Sequence, residues 1–461
     1  MLTIELNRIS WISTQGIKVQ NLARLINEKS LKDAHTAMDA KKATGIDRVT
    51  KESYGQELAK NLEALVNRMK GGTYTPNPSR RTYIDKPGTN KKRPLGISCY
   101  EDKLVEKVIA EILTAVYEPK FLDCSFGFRP ERNCHEAVST CLHEIQRQTS
   151  YIVEADIRSC FDRLDHDRII EFLEHDIADR QFMEIIKRFL KAGYVEDNVW
   201  HDAETGSPQG SGFSPCIANV YLHYVLDKWF NYLKKHGHFK GDAWIVRYAD
   251  DFVCGFQYAK DAKLFYQTLP KRFGKFGLEL AEEKTRIIEF GRFAESNCQK
   301  KRKADPTCRS KPETFDFLGF TFYCSKSART GKFTPKVKSA GKRMRTKLQK
   351  MEAWIKDNRH LPLRDIIQHI NQVLEGYFAY YAVTCNLLWV CKFRYSIIKM
   401  LYKWLNRRSQ RRSYTWLGFA DMLKDIPILR AKIRVDIYGY IFSRKQRTTG
   451  EPYARIEHVR I

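Results

Sequence analysis

The stretch Trp244-Ile245-Val246-Arg247-Tyr248-Ala249-Asp250-Asp251-Phe252-Val253-Cys254 constrains this chain more than any other. Two adjacent carboxylates stand between apolar, β-branched and aromatic runs, a pattern that predicts two strands joined by a tight turn with the acids at its tip. Asp is a common turn former, and Asp-Asp in a turn is more often solvated than functional. As a site, such a hairpin would hold a metal at a rigid point. A third carboxylate on another strand, a basic chain and phosphate-binding segments nearby would separate the two readings.

The charge balance supplies the basic chain. Formal net charge is +26 over 461 residues, with a pI near 9.5, and the least forced partner for such a surface is a polyanion. Nucleic acid leads, with an anionic membrane surface second. From Lys326 to Ile461 there are 30 Lys+Arg against 9 Asp+Glu, so most of the excess lies in the last 136 residues and the acidic turn lies outside them. No run approaches the roughly 20 apolar residues of a spanning helix, and the start, Met1-Leu2-Thr3-Ile4-Glu5-Leu6, lacks the pattern of a signal peptide. Twelve cysteines with no Cys-x-x-Cys are expected to be reduced thiols in a cytoplasmic protein.

Helical periodicity runs to about Leu65, with a break at Ala43-Thr44-Gly45-Ile46-Asp47. The run Gly88-Thr89-Asn90-Lys91-Lys92-Arg93-Pro94-Leu95-Gly96-Ile97 predicts a basic hairpin. It is either a solvated turn or a triphosphate clamp made of Lys86, Lys92 and Arg93. Leu104–Tyr117 predicts an amphipathic helix, as does His135–Gln146. Tyr151-Ile152-Val153-Glu154-Ala155-Asp156 reads as a strand ending at an acid and leading into a short helix. Asp156 would either cap that helix or be the third carboxylate, with Phe161 against a nucleotide sugar.

Gly206-Ser207-Pro208-Gln209-Gly210-Ser211-Gly212-Phe213-Ser214-Pro215 is a linker or a glycine-rich loop whose backbone approaches a ligand, pinned to a helix over Ile217–Trp229. Ala262–Phe276 reads as a helix, Gly277–Leu280 as a strand, Gly291–Pro312 as a loose loop and Phe315–Phe322 as a strand pair. From Ser339 onward three basic amphipathic helices predict a bundle, the third ending in Arg407-Arg408-Ser409-Gln410-Arg411-Arg412. The order of elements predicts an α+β fold.

Three carboxylates, Asp156, Asp250 and Asp251, would hold two divalent cations about 3.5–4 Å apart, the arrangement used for in-line displacement at phosphorus. Oxygen ligands favour Mg²⁺. Tyr248-Ala249-Asp250-Asp251, Ala155-Asp156-Ile157-Arg158-Ser159-Cys160-Phe161-Asp162, Ser207-Pro208-Gln209-Gly210 with Ser214-Pro215, Lys92-Arg93-Pro94-Leu95-Gly96-Ile97, Tyr117-Glu118-Pro119, Ser125-Phe126-Gly127-Phe128-Arg129-Pro130 and Phe317-Leu318-Gly319-Phe320 occur in order. Together they resemble the group II intron-encoded reverse transcriptases and maturases.

The resemblance implies a right-hand polymerase fold, with fingers and palm followed by a helical thumb. It implies an N-terminal extension (1–65), fingers and palm (66–325), a thumb or maturase domain (326–415) and a basic segment that would bind DNA (416–461). Asp156, Asp250 and Asp251, with the backbone of Ile157, would be metal ligands for two Mg²⁺ ions. Lys86, Lys92, Arg93, Phe161, Gln209 and Lys284 would contact the deoxynucleoside triphosphate. Phe317, Leu318 and Gly319 would form the primer grip, and Arg407, Arg408, Arg411 and Arg412 would bind RNA.

The implied partners are intron RNA, an RNA template with a DNA primer, target DNA and deoxynucleotides, without a membrane. The implied compartment is bacterial cytoplasm, with an organelle as the alternative. No Cys-pair and His-rich nuclease module follows the thumb, so an endonuclease domain is not expected. Ser211 after Gln209-Gly210, and the Ser159-Cys160 pair, depart from the family's usual residues without removing a ligand. A splicing-only RNA-binding maturase, or a domesticated enzyme of defence or DNA repair, is the alternative reading.

Overall fold

The computed structural model describes residues 2–85, 92–207, 210–409 and 413–439. It is a mixed α+β protein that divides into two compact units, Met1–Asn133 with Val153–Ile287, and Cys134–Ile152 with Ile288–Ile461.

In the first unit the helix Tyr100–Tyr117 is the spine. Leu104, Val108, Ile112 and Val116 recur every four residues, and with Val105, Ile109 and Leu113 they are fully buried, because neighbours cover more than one face of this helix. The helices Leu2–Thr14 and Glu28–Ala37 pack against it, the latter opened by an Asn27–Ser30 capping box. The basic run is a hairpin as expected: Ser79–Asp85 pairs antiparallel with Lys92–Ile97, from Arg80 opposite Ile97 to Asp85 opposite Lys92. Tyr194–Glu196 adds to it in parallel and Val199–His201 closes a four-stranded sheet.

A second four-stranded sheet carries the acidic turn, in the order Ala243–Tyr248, Asp251–Phe256, Tyr151–Ala155, Arg286–Glu289. The predicted helix after the glycine-rich loop is longer than expected. It begins at Ser214, passes through a π-helical turn at His223–Asp227 and ends at Lys235. Gly277–Leu280 is not a strand; only an isolated bridge joins Leu280 to Ile157.

In the second unit Phe315–Phe317 and Phe320–Lys326 form the expected pair, but a third strand, Phe333–Ser339, joins it. Lysines at Lys332, Lys336 and Lys338 and the proline at Pro335 mask its apolar pattern, and an edge position tolerates that proline. Gly291–Pro312 is not a loose loop throughout, since Ala294–Ala304 is helical. Its basic face lies in solvent, and Asn297 and Lys301 both bond Glu289, so it carries no apolar stripe to betray it.

The helices Gly341–Asn358, Leu363–Tyr381 and Leu387–Leu405 bury Met351 and Ile355, then Ile366, Ile370, Leu374, Tyr377 and Phe378, then Val390, Phe393, Ile397, Leu401 and Leu405. Tyr377 stacks on Phe393 with ring centroids 3.8 Å apart. The buried Asn386 ties this bundle to the sheet, accepting from the Ser339 N–H and donating to Ser339 Oγ, each at 2.9 Å.

Candidate active site

Tyr248 lies opposite Asp251 in the antiparallel register, so the turn consists of Ala249 and Asp250 alone. Buried Val246, Phe252, Val253 and Cys254 anchor both strands in the core, while Asp251 is exposed and Asp250 half-buried. Such a turn needs left-handed backbone, and Ala249 takes it with φ 56°. Behind it, a Cβ on Gly127 would come within 2.3 Å of the Ala249 nitrogen, so only glycine allows the Phe126–Phe128 segment to lie against the turn. The Phe126 N–H donates to the Arg247 carbonyl at 2.8 Å, and the Arg247 N–H to the Cys124 carbonyl at 2.7 Å.

Asp156 follows the strand Tyr151–Ala155, the sheet neighbour of Asp251–Phe256. It does not cap the short helix Cys160–Asp162, whose N-cap is Ser159 in left-handed conformation. Its carboxylate instead accepts a hydrogen bond from the Lys284 ammonium. The Ala281 N–H donates to the Asp156 carbonyl and the Arg158 N–H to the Glu279 carbonyl, each at 2.8 Å. Because those bonds flank the Ile157–Leu280 pair, the Ile157 carbonyl itself faces away from the Glu279–Ala281 segment.

Lys284 is held above its ordinary value, chiefly by the hydrogen bond to Asp156 and then by the charges of Asp156, Glu283 and Asp251. One ammonium therefore feels both carboxylate-bearing strands. Among the described residues no three His, Cys, Asp or Glu side chains are grouped so as to hold a metal ion, Asp156, Asp250 and Asp251 included. Carboxylates repel one another at such a point until a cation arrives, and Lys284 supplies one positive charge in the meantime. The oxygen donors, their partial exposure and a cation already attracted to them fit hard divalent ions.

The glycine-rich loop is pinned at both ends. The Gly206 N–H donates to the Leu164 carbonyl at 2.7 Å and the Ser207 N–H to the Phe161 carbonyl at 2.8 Å, while Ser207 Oγ bonds Ser214 Oγ at 2.6 Å. Phe161 is buried, so it forms a wall rather than a projecting ring. Gln209, with Pro208, lies outside the described residues. Gly210 has φ 116°, and a Cβ there would meet the Gly96 carbonyl oxygen at 2.5 Å.

Sequence reasoning missed Glu106. Its carboxylate accepts from the Gly212 N–H at 2.8 Å and from Ser98 Oγ at 2.7 Å, and burial pushes its pKa up to about 7. It stands two positions from the buried Leu104 and Val108 and next to the buried Val105, and an acid among those apolar positions is the signal that could have found it.

Lys92 and Arg93 are exposed at the start of their strand, and Lys86 lies outside the described residues. Phe317, Leu318 and Gly319 belong to the second unit, where Leu318 and Gly319 make a left-handed turn and Tyr380 Oη donates to the Leu318 carbonyl at 2.6 Å. Arg407 and Arg408 are exposed in the same unit; Arg407 lies 5.3 Å from the centre of the Trp404 ring, and Arg408 donates to the Leu361 carbonyl at 3.0 Å. Arg411 and Arg412 lie outside the described residues. No described helix is long and apolar enough to cross a membrane.

The family model described as reverse transcriptase (RNA-dependent DNA polymerase) matches residues 84–322, and that of the group II intron maturase-specific domain matches 342–418. The chain is 42% identical over 190 residues to the group II intron-encoded protein LtrA of Lactococcus lactis subsp. cremoris, which covers 41% of this chain and 31% of that protein. It is 30% identical over 295 residues to protein YkfC of Escherichia coli strain K12, covering 55% of this chain and 75% of that one. The chain thus spans about a third of the Lactococcus protein's length. A reverse transcriptase match over more than half of the residues, enclosing all three carboxylates and followed by a maturase-specific match, shows that the chain belongs to the reverse transcriptase family, of the group II intron type.

Proposed function

We propose that this chain is an RNA-directed DNA polymerase that extends a primer 3′-OH with deoxynucleoside triphosphates on an RNA template, and that it also binds intron RNA as a splicing maturase supporting intron mobility. The observation that carries the reading is the Lys284 ammonium, paired with Asp156 and within the field of the exposed Asp251 next to the acidic turn. Two divalent ions, Mg²⁺ by the hardness of the donors, would activate the primer hydroxyl and neutralise the departing pyrophosphate.

Asp156, Asp250 and Asp251, with the Ile157 carbonyl, are the ligands we assign. Lys284, paired with Asp156 in the absence of ions, would be the cation for the departing pyrophosphate. Phe161 limits the room at the sugar 2′ position, and the loop carrying Gln209 lines the template–nucleotide pair. Lys86, Lys92 and Arg93 take the triphosphate. Phe317-Leu318-Gly319 supports the primer. The basic helices after Lys326 and the arginines Arg407, Arg408, Arg411 and Arg412 hold RNA through phosphates.

This assigns fingers and palm of a right-hand polymerase to 66–325, a thumb to 326–415, an N-terminal extension to 1–65 and a DNA-contacting segment to 416–461. Target DNA is the further partner and the bacterial cytoplasm the assigned compartment. Primer extension with purified protein tests the reading. Asp250→Asn should abolish extension on an RNA template and leave RNA binding intact; undiminished extension would refute the assignment.

A further inference from the structure

Arg247 is a fully buried cation directly behind the acidic turn. Its Nε donates to Asp227 Oδ1 at 2.8 Å and its Nη2 to Asp227 Oδ2 at 2.5 Å, a forked pair in which both side chains are completely covered. Its Nη1 donates to Asn219 Oδ1 and to the Ala249 carbonyl, both at 2.9 Å. Four of the five guanidinium N–H groups are thereby committed, and one of them holds the left-handed residue of the turn. Asn219 in turn donates to the Gly127 carbonyl at 2.7 Å, in the segment pressed against the Ala249 nitrogen. The turn is thus held through its carbonyl by Arg247 and blocked on its amide side by Gly127.

Asp227 is the last residue of the π-helical turn His223–Asp227, and such turns occur as single insertions within α-helices. His223 sits 4.0 Å from Asp227, and burial lowers its pKa to about 4, so it is neutral at physiological pH and the charge opposite Asp227 is that of Arg247. A buried ion pair is a poor source of net stability, because desolvation offsets most of the attraction. Four donors fixed by three rigid acceptor groups do, however, define a position.

We propose, on the polymerase reading of the three carboxylates, that Arg247, Asp227 and Asn219 are positioning residues that fix the Asp250–Asp251 turn relative to Asp156 and so set the affinity of the site for its divalent ions. None of the three touches a reacting atom. Their effect passes through the Ala249 carbonyl and the Gly127 segment.

Arg247→Lys keeps the charge but replaces a planar fork with a point donor that cannot serve Asp227 and Ala249 together. With template–primer bound, Mn²⁺ affinity read by electron paramagnetic resonance should fall about tenfold, and kcat comparably, as for other residues that orient metal ligands. The KM for deoxynucleotide should stay within about twofold, since that contact is untouched. RNA affinity should not change.

Unchanged Mn²⁺ affinity in folded Arg247→Lys protein overturns the inference, as does a rate loss that only follows the unfolded fraction in thermal melts. If Arg247→Lys does not fold, Asn219→Ala takes its place, removing one acceptor of Nη1. It should lower Mn²⁺ affinity in the same direction by about threefold, and a wild-type value there is equally decisive against the proposal. Asp250→Asn, assayed alongside, separates the two levels. Extension surviving in Asp250→Asn refutes the polymerase reading itself, whereas its loss with normal Mn²⁺ binding in the Arg247 and Asn219 variants refutes only the positioning role.

Discussion

Lys284 and Asp156, 128 positions apart in the chain, form an ion pair at the end of the strand that neighbours the acidic turn. The lysine side chain is more than half exposed and that of Asp156 less than a third, so the pair stands at the surface and not in the core.

Replacing Lys284 by Gln should slow extension by roughly a hundredfold, as expected for loss of a group assisting the leaving pyrophosphate. In the ion-free protein the hydrogen bond to Asp156 holds the lysine above its ordinary 10.5, so whatever the pair adds to stability is present below that value and is lost as pH rises through the higher folded one. Single-turnover extension measures the first effect, and a native rate in folded Lys284→Gln protein would contradict the assignment.

Glu106 predicts a stability effect of definite sign. Its pKa is raised from 4.5 to about 7 by burial, so between those values the folded chain holds a proton that the unfolded chain has released. Stability attributable to Glu106 is greatest below 4.5 and declines as pH climbs toward 7. Glu106→Gln should flatten this dependence and cost no more than about 1 kcal/mol near pH 5, where the folded acid is already neutral and the amide can accept from Gly212 and donate to Ser98 in its place. Chemical denaturation at several pH values measures it, and an unaltered slope would count against the burial argument.

Gly127→Ala places a methyl group within 2.3 Å of the Ala249 nitrogen. Relief requires the turn or the Phe126–Phe128 segment to move, costing about 1–3 kcal/mol of stability. Extension should suffer more than folding does, because the displaced turn carries Asp250. Thermal melts and single-turnover extension on the same preparation compare the two losses, and an active, well-folded Gly127→Ala protein would show the contact to be slack.

Arg407 and Arg408 offer a test of the charge-rich second unit. Neutralising either one should weaken RNA binding across sequences alike and reduce the slope of log affinity against log salt by about one unit for each phosphate no longer neutralised. Filter binding across a salt series would show it. A variant with altered sequence preference and an unchanged slope would point to base recognition instead.

Much of the fold is legible in the sequence. Apolar, β-branched and aromatic runs on either side of Asp250-Asp251 announced the hairpin, and apolar residues every three or four positions announced the spine helix and the bundle, because both patterns are local consequences of burial. The helix Ala294–Ala304 and the strand Phe333–Ser339 escaped for the same reason in reverse. One has almost no buried face, and the other's apolar residues are interleaved with lysines and a proline.

Residue order alone determined most of the elements, the carboxylates and the excess of charge toward the C-terminal end, since each is encoded within a few neighbouring side chains. Tertiary structure alone decided which distant groups meet: Lys284 with Asp156, Glu106 with Gly212, and Arg247 with Asp227 behind the turn. It also grouped Cys134–Ile152 with the residues after Ile288 in one compact unit. Periodicity states that a face must be covered without stating by what, and the direction of a buried donor is set only when the backbone around it has closed.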